Sequence, residues 1–244
     1  MKDHGNTNYT HTFEIRPLET DNQGVLKPGV LTDMIQQAAW VHAEKLGVGT
    51  PLLIEKGYTW VLNRLQLTID SLPEYPGQVV IKTWPSGHER LFTFRNFIVY
   101  DKENKVCATA SSAWMIVDLN RKRAALPPDF IKAALPEESD ADNKSLYTEK
   151  LSEPQNPQSE AIIHVRRQDI DINDHVNNNI IIQWLYECLD MPGNLKHLDI
   201  MFKAECKFGD KLLSEAEADS SGYLHHIVRP ADGKVIGVGR TTWN

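Results

Sequence analysis

The stretch Lys105-Val-Cys-Ala-Thr-Ala-Ser-Ser-Ala-Trp114 returns near the end of the chain as Lys234-Val-Ile-Gly-Val-Gly-Arg-Thr-Thr-Trp243. Lysine, valine, small residues, a hydroxyl residue and tryptophan recur in register. Further upstream, Phe13-Glu-Ile-Arg16 has a counterpart in Ile163-His-Val-Arg166, and a polar loop and a helical pattern follow each of them. The repeat predicts two copies of one folding unit.

The first copy reads as one long helix followed by strands. Apolar residues at helical spacing lie between Pro28, which suits a helix start, and Gly47, which suits a helix end. Alternating patterns separated by turn residues then predict strands at residues 60–69, 78–84, 91–100 and 106–117. Because proline cannot donate to a strand ladder, Pro85 is expected to end or bulge its strand.

The second copy repeats this order. We expect a strand at residues 161–166, a helix at 180–189, and strands at 198–208, 211–218, 223–228 and 235–243. A helix followed by a run of antiparallel strands predicts an α+β fold in which a sheet wraps around a helix. The predicted domains are residues 1–123 and 161–244, joined by a proline-rich linker at 124–160.

Composition narrows the class of protein. The 41% hydrophobic and 24% charged residues are typical of a globular domain. No apolar run approaches the roughly 20 residues that cross a bilayer, and the first residues lack the apolar core of a signal peptide. Three cysteines without close pairing argue against a disulfide framework, so we expect a cytoplasmic protein without membrane association. The net charge of −7 disfavours nucleic-acid binding.

One loop carries a pattern typical of catalysis. Asp169-Ile-Asp171-Ile-Asn173-Asp174-His175-Val-Asn-Asn178-Asn179 places acids, an amide and an imidazole at alternate positions. Asp171, Asn173 and His175 point the same way if this segment is extended. The helix that follows offers unpaired N–H groups around Asn178 and Asn179, which could complete an oxyanion hole.

The first copy supplies an internal comparison for that loop. Counting from the shared arginine, Asp21 falls opposite Asp171 and Gln23 opposite Asn173, while Val25 falls opposite His175. Because valine cannot transfer protons, we expect the first domain to lack the chemistry and to keep a binding or structural role.

Four segments together resemble the acyl-acyl carrier protein thioesterases that end fatty-acid synthesis in plants and bacteria. They are Trp60-Val-Leu-Asn-Arg64-Leu-Gln-Leu, Ala110-Ser-Ser-Ala-Trp114, Asp171-Ile-Asn173-Asp-His175-Val-Asn-Asn, and the pair Glu205-Cys206. The resemblance implies a tandem pair of hot-dog domains and the hydrolysis of fatty acyl thioesters. It also implies that the first domain supplies much of the acyl pocket, with Met34, Ala38, Val61 and Leu65 as candidate lining residues.

The candidate catalytic residues have distinct expected roles. His175 can donate to the thioester carbonyl or transfer protons, Asn173 can hold water or the oxyanion, and Asp171 can orient either of them. Two routes remain open: Glu205 as a general base that activates water, or Cys206 as a nucleophile. Glu205 is favoured because a carboxylate is ionised near neutral pH, whereas a thiol is mostly protonated. Being adjacent on a predicted strand, the two residues must face opposite sides.

The expected partner is an acyl carrier protein, which would dock through a local basic patch. Arg166, Arg167, Lys203 and Lys207 lie near the catalytic residues in sequence and are the candidates. An acyl-coenzyme A thioesterase, a hot-dog dehydratase and a non-catalytic acyl-thioester-binding module are the alternatives. No cofactor is expected. No metal is expected either, since adjacent His225 and His226 face opposite ways on a strand. The chain is expected to be a monomer or a homodimer.

Overall fold

The computed structural model describes residues 8–136, 141–171, 174–190 and 193–244, without the side chains of residues 141 and 142. The chain divides into two units. The first comprises Met1–Asn63 and Ile69–Glu149, and the second comprises Arg64–Thr68 and Lys150–Asn244. Each unit pairs one principal helix with an antiparallel sheet, as the repeat predicts.

The first unit contains most of the elements before residue 150. They are β1 (Tyr9–Glu14), α1 (Pro28–Lys45), α2 (Thr50–Glu55), β2 (Tyr58–Ile69), β3 (Gln78–Glu89), β4 (Phe92–Tyr100), β5 (Val106–Asp118), β6 (Arg123–Ala125), α3 (Asp129–Lys132) and α4 (Ser145–Thr148). The strands run in the order β1-β3-β4-β5, with β6 added to β5. The predicted strands are confirmed, and Pro85 bulges β3 rather than ending it, since the pairing with β4 shifts register between Pro85 and Gly87.

The long helix α1 forms because its apolar residues recur on one side. Leu31, Ile35 and Ala38 are each at most 1% exposed, at the spacing that buries one helix face. Pro28 occupies the first helical position, where its missing N–H costs nothing. The chain then turns at Gly47, whose φ of +71° lies in the left-handed region that glycine adopts without strain. This helix packs on β1 and β3.

The second unit follows the same plan. Its elements are β7 (Ser159–His164), α5 (Asn178–Leu185), β8 (Leu195–Phe202), β9 (Lys211–Asp219), β10 (Gly222–Arg229) and β11 (Lys234–Trp243). The strands run in the order β8-β11-β10-β9-β7, and residues 64–68 of β2 pair with β8. The helix α5 contacts β9, β10 and β11.

Two predicted boundaries in the second unit are wrong. The helix predicted to reach residue 189 ends at Leu185. The Leu185 carbonyl accepts from the Ser214 hydroxyl at 3.2 Å, and Leu189 N–H donates three residues back to Tyr186, so the chain leaves the helical path. The strand predicted at 198–208 is β8, which starts earlier and ends at Phe202.

Beyond β8 the chain leaves the sheet because its backbone hydrogen bonds no longer follow the strand pattern. The N–H groups of Lys203 and Ala204 both donate to the Ile236 carbonyl, which interrupts the one-to-one strand ladder. The Cys206 carbonyl then accepts from the Val176 N–H at 3.0 Å. The segment that carries Glu205 is therefore held against the Asp/Asn/His loop rather than within a strand.

The repeated tryptophans confirm the duplication. Trp114 donates its indole N–H to the Ser112 hydroxyl at 2.8 Å, and Trp243 donates to the Thr241 hydroxyl at 2.7 Å. The repeat aligns Ser112 with Thr241, so the same contact is made twice. This local contact explains why a hydroxyl residue stands two positions before each tryptophan.

A buried ion pair holds β2 to β8 inside the second unit. Arg64 donates from Nε to Asp199 Oδ1 at 2.8 Å and from Nη2 to Oδ2 at 2.6 Å. The two side chains are only 1% and 8% exposed. Gln66 adds a bond from Nε2 to Asp199 Oδ2 at 2.9 Å. The bidentate geometry compensates two charges that would otherwise be costly to bury.

The segment predicted as a linker carries some structure of its own. It contains β6, α3 and α4, and Asn143 donates through Nδ2 to the Ser86 carbonyl at 2.8 Å. Ser86 and Asn143 are 2% and 1% exposed. Part of this segment therefore belongs to the first unit, where α4 contacts β5. Among the described helices, none combines the length and the hydropathy needed to span a membrane.

Candidate active site

In each unit, an arginine binds a carboxylate three residues later, at the start of the loop that leads to the helix. We call this contact the arginine–carboxylate clamp. In the second unit Arg166 donates its backbone N–H to Asp169 Oδ2 at 2.7 Å and its Nη2 to Oδ1 at 2.9 Å. In the first unit Arg16 donates its backbone N–H to Glu19 at 2.7 Å and its Nε at 2.8 Å. Asp169 is 2% exposed, so its carboxylate fixes the backbone where the loop begins.

The loops that follow are closed by equivalent backbone hydrogen bonds. In the first, Asp21 N–H donates to the Val25 carbonyl at 2.8 Å; in the second, Asp171 N–H donates to the His175 carbonyl at 2.8 Å. The predicted equivalence of Val25 and His175 is thereby confirmed. Gly24, with φ of +85°, stands where Asp174 adopts φ of +62°, a left-handed conformation that aspartate tolerates better than most residues.

The second loop folds back on itself, so the condition for side-chain alternation, an extended segment, is not met. Asp174 N–H donates to the Asp171 carbonyl at 3.1 Å, and a bridge joins Ile170 to Val176 across the turn. Side chains in such a turn do not alternate as they do on a strand. Asn173, a predicted catalytic residue, lies outside the described residues.

The structure brings His175 and Glu205 together. The Nε2 atom of His175 lies 2.9 Å from Glu205 Oε2, although thirty positions separate the residues in the chain. The His175 side chain is 29% exposed and that of Glu205 is 65% exposed. An imidazole bonded to a carboxylate that is open to water can orient a water molecule and exchange protons with it.

Cys206 occupies a different environment from its neighbour. It is fully buried, while the Glu205 side chain is exposed, although the segment is not the strand on which the expectation of opposite sides was based. Burial, and then the nearby Asp210 carboxylate, raise the pKa of the Cys206 thiol to about 12. A thiol in this state is protonated near neutral pH and is a poor nucleophile.

The N-terminus of α5 completes the site. Asn177 caps the helix, its Oδ1 accepting from the Asn179 N–H at 2.8 Å. That bond occupies the Asn179 N–H, which was a candidate oxyanion donor. The N–H of Asn178, the first helical residue, finds no acceptor among the described residues, and it remains the candidate donor at this end.

The four candidate docking residues divide into two pairs. Arg166 is bound to Asp169, and Lys203 is bound to Glu153 at 2.7 Å. Within the described part of the chain, no carboxylate lies at ion-pair distance from Arg167 or Lys207. The Arg167 guanidinium lies 4.3 Å from the ring centroid of Phe208, which is 52% exposed. Lys207 and Phe208 follow the Glu205-Cys206 pair in the chain, and Arg167 lies over the ring of Phe208.

The candidate acyl-pocket residues are mostly buried. Met34 and Ala38 lie one turn apart on α1 and are 4% and 0% exposed, and Leu65 on β2 is 1% exposed. Val61 is half-buried. Burial is what both a pocket wall and a packed core require, so their assignment to a pocket stays a prediction.

Comparison with known proteins identifies the family. Residues 6–134 match the family model described as Acyl-ACP thioesterase N-terminal domain, and residues 152–244 match the model of its C-terminal domain. The chain belongs to the acyl-ACP thioesterase family. The His175–Glu205 contact lies inside the part matched by the C-terminal domain of that family.

Similar proteins in the family come from plants and bacteria. The chain is 24% identical over 286 residues to the oleoyl-acyl carrier protein thioesterase of Coriandrum sativum, covering 96% of this chain and 76% of that protein. It is 24% identical to the palmitoyl-acyl carrier protein thioesterase of Gossypium hirsutum, of which it spans 63%. The solved acyl-ACP thioesterase of Bacteroides thetaiotaomicron VPI-5482 is 27% identical, with a TM-score of 0.85 and 98% of both chains covered.

The fold is shared more widely than the sequence. The 12:0-ACP thioesterase of Umbellularia californica superposes with a TM-score of 0.86 over 98% of both chains at 20% identity. The double hot-dog fold expected from the sequence is thus confirmed.

Three features of this acyl-ACP thioesterase family site escaped the sequence reasoning. They are the Asn177 cap, the Arg166–Asp169 clamp and the Lys203–Glu153 ion pair. The clamp had a signal in the sequence, because arginine stands three residues before a carboxylate in both copies. The cap could have been found from the asparagine that precedes an apolar helical run. Lys203 and Glu153 lie fifty positions apart, and the sequence around each residue gives no signal that the two form an ion pair.

Proposed function

We propose that this chain hydrolyses the thioester of fatty acyl-acyl carrier protein and releases a free fatty acid. The contact of 2.9 Å between His175 Nε2 and Glu205 Oε2 supports the proposal most strongly. It brings together the acid–base groups expected from the sequence, in a chain whose two halves match the two domains of the acyl-ACP thioesterase family.

In the proposed reaction, Glu205 is the general base. His175 occupies Oε2 of the carboxylate, which leaves Oε1 to take a proton from water. The water oxygen bonds to the thioester carbon, and the oxyanion is stabilised by Asn173 and the Asn178 N–H. The carbon–sulfur bond then breaks, and the leaving thiolate receives the proton that Glu205 has taken. Asp171 donates its backbone N–H to the His175 carbonyl and so helps to orient His175.

The alternative nucleophile, Cys206, is expected to be dispensable. Its thiol is buried and its pKa is raised to about 12, so the thiolate needed for an acyl-enzyme is scarce. Cys206→Ala is expected to keep kcat/KM within about threefold of the unchanged protein, well inside the effect of losing a catalytic group. Steady-state hydrolysis rates measure this. Loss of activity in a Cys206→Ala protein with an unchanged melting temperature would restore the acyl-enzyme route.

The domain of residues 1–123 is proposed to bind the acyl chain without catalysing the reaction. Val25 stands at the position of His175, and an aliphatic side chain can neither donate nor accept a proton. The proposed domains are residues 1–123 and 161–244, joined by residues 124–160, of which the part up to Glu149 packs with the first unit. Met34, Ala38, Val61 and Leu65 remain the proposed contacts of the acyl chain.

A hydrolysis panel tests the proposed function. Acyl carrier protein loaded with saturated chains of increasing length is offered to the protein, with His175→Ala as the blank. Release of free fatty acid that disappears in the blank is the expected result. The same chains on coenzyme A separate the two substrate classes, since a faster reaction of the coenzyme A esters would favour the acyl-coenzyme A alternative. Thioesters that bind without turnover would favour a binding module.

The carrier is proposed to dock on the surface that holds Arg167 and Lys207. Arg167→Glu and Lys207→Glu together are expected to raise KM for the acyl carrier protein substrate by roughly tenfold or more, with little effect on a pantetheine thioester. Arg166 and Lys203 are expected to matter less, because Asp169 and Glu153 already neutralise them.

A matched control comes from the other unit. Arg121→Glu and Lys122→Glu change the same number of charges in the exposed run before β6. Rising salt should weaken the binding of the acyl carrier protein to the unchanged protein and to the control by similar factors. It should weaken binding to the docking variant much less. Equal KM increases in the docking variant and the control would contradict the assignment.

The remaining expectations concern environment and assembly. We propose a cytoplasmic enzyme that needs no cofactor or metal and binds neither nucleic acid nor membrane, as a monomer or a homodimer. The plant relatives named above are chloroplastic proteins.

A further inference from the structure

Among the described residues, the buried arginines Arg64 and Arg95 differ in one respect. Arg64 is bound by the Asp199 carboxylate, as described above. Arg95 on β4 is 8% exposed, yet no carboxylate of the described residues lies at ion-pair distance from it. A largely buried guanidinium without a carboxylate depends on other hydrogen-bond acceptors, so the groups around Arg95 decide what it can bind.

The groups around Arg95 are neutral hydrogen-bond acceptors. Its Nη1 lies 2.9 Å from His42 Nδ1 and 3.2 Å from Thr83 Oγ1. Neither Nε nor Nη2 has a hydrogen-bond acceptor among the described residues. Neither atom belongs to the fully enclosed polar atoms that lack a partner, so both nitrogens are open to water or to a ligand.

The protonation states of His42 and Arg95 are consistent with this hydrogen bond. Burial, followed by the charges of Arg95 and Lys45, lowers the pKa of His42 to about 4, so the ring is neutral and accepts a hydrogen bond. Burial lowers the pKa of Arg95 to about 10, which still leaves the guanidinium charged at neutral pH. Tyr9 stacks on His42 with ring centroids 5.4 Å apart and holds the imidazole in place.

The position of this cluster relates it to the acyl chain. Met34, Ala38 and His42 follow one another at four-residue intervals on α1 and share its buried face, in a row of about 12 Å. Met34 and Ala38 are proposed chain contacts, and His42 ends the row. The guanidinium of Arg95 is bound to His42, so it marks the same end.

We propose that Arg95 determines substrate specificity by selecting acyl chains that carry an oxygen acceptor, a hydroxyl, keto or carboxylate group, towards their far end. This rests on the proposed function. A methylene group beside Arg95 leaves donors unpaired, whereas an oxygen accepts from Nε or Nη2 and supplies the missing partner. His42 and Thr83 position the guanidinium through Nη1.

Matched thioesters test the inference. Plain, ω-hydroxy and ω-carboxy chains of equal length are loaded on one carrier, over a range of lengths, and kcat/KM is measured for each. The unchanged protein should favour an oxygenated chain at one length or more. In Arg95→Met that preference should fall by about ten- to a hundredfold, as expected when a hydrogen bond to a charged group is lost. Arg95→Lys should retain part of it.

Controls separate specificity from stability. Arg240→Met removes a half-exposed arginine from β11 in the other unit and should leave the preference unchanged. The melting temperature of Arg95→Met should not fall, because the substitution removes an uncompensated charge. If that variant does not fold, Arg95→Gln takes its place. Equal preferences in the unchanged protein and the folded Arg95 variant would overturn the inference.

A binding measurement keeps the two proposals apart. Calorimetry with His175→Ala measures affinity for free ω-hydroxy fatty acids and dicarboxylic acids against plain fatty acids, without any turnover. Tighter binding of the oxygenated acids that depends on Arg95 would support the inference even if no thioester were hydrolysed. Hydrolysis of plain thioesters with no Arg95-dependent preference in either assay would leave the proposed function standing and refute the inference.

Discussion

Glu205→Gln is expected to lower kcat/KM for acyl carrier protein thioesters by about a hundred- to ten-thousand-fold, the range that general base catalysis contributes. Glutamine preserves the shape of the side chain and can still accept from His175 Nε2, but it cannot take a proton from water. Since the Glu205 side chain is 65% exposed, the substitution should leave the melting temperature unchanged. Hydrolysis rates and a thermal melt on the same preparations measure both effects.

The control for this experiment is Glu160→Gln, an exposed glutamate on β7 of the same unit, which should remain fully active. His175→Ala should lose a comparable factor. The double variant should lose little more than either single variant, because two groups that act on one water molecule are not additive. An active Glu205→Gln protein would remove Glu205 as the base, and additive losses would show that the two residues act in separate steps.

The fold was predictable because the duplication leaves its trace in local sequence. Helix α1 and its strands follow from apolar spacing, and the tryptophan repeats fix which strands correspond. The boundaries that failed depend on distant partners. Helix α5 stops where the Leu185 carbonyl turns to Ser214, and β8 stops where two N–H groups share the Ile236 carbonyl. Neither event has a signal in the residues of the element itself.

The candidate site divides in the same way. The sequence predicts His175 and Glu205 as catalytic candidates, but their direct contact is a property of the fold. The sequence allows a turn at this loop as well as an extended segment, because alternation of polar residues looks the same in a strand and in a loop closed by backbone hydrogen bonds. In the first copy the glycine at position 24 marks the left-handed residue, and comparison of the copies could have revealed the turn.

Buried charge was the least visible feature of all. Arg64 was recognised only as part of a resemblance, and its partner Asp199 lies 135 positions away. Arg95 and His42 also come together across 53 positions. A sequence shows that a charged residue interrupts an apolar pattern, but whether that charge is compensated depends on which strand or helix packs against it.

The second large effect is expected at the Arg64–Asp199 pair. Asp199→Ala should lower the free energy of unfolding by about 3–5 kcal/mol, because it strands a buried guanidinium without its carboxylate. For a chain of this length that loss corresponds to a fall of roughly 10 °C in melting temperature. Denaturant titration and thermal melts measure it. Asp219→Ala, which removes the partner of half-exposed Arg240 on β11, should cost about 1 kcal/mol or less.

A double substitution distinguishes the cost of leaving Arg64 without its carboxylate from the net contribution of the ion pair to the free energy of unfolding. Arg64→Met with Asp199→Leu removes both charges and fills the space with apolar atoms, so it should be clearly more stable than Asp199→Ala alone. Gln66 then loses one acceptor, but its half-buried amide can turn to water. If the double variant proved as unstable as the single one, the residual cost would lie in packing, and the charge argument for Arg64 would fail. The same outcome would weaken the contrast with Arg95, since that inference depends on a buried arginine needing an acceptor.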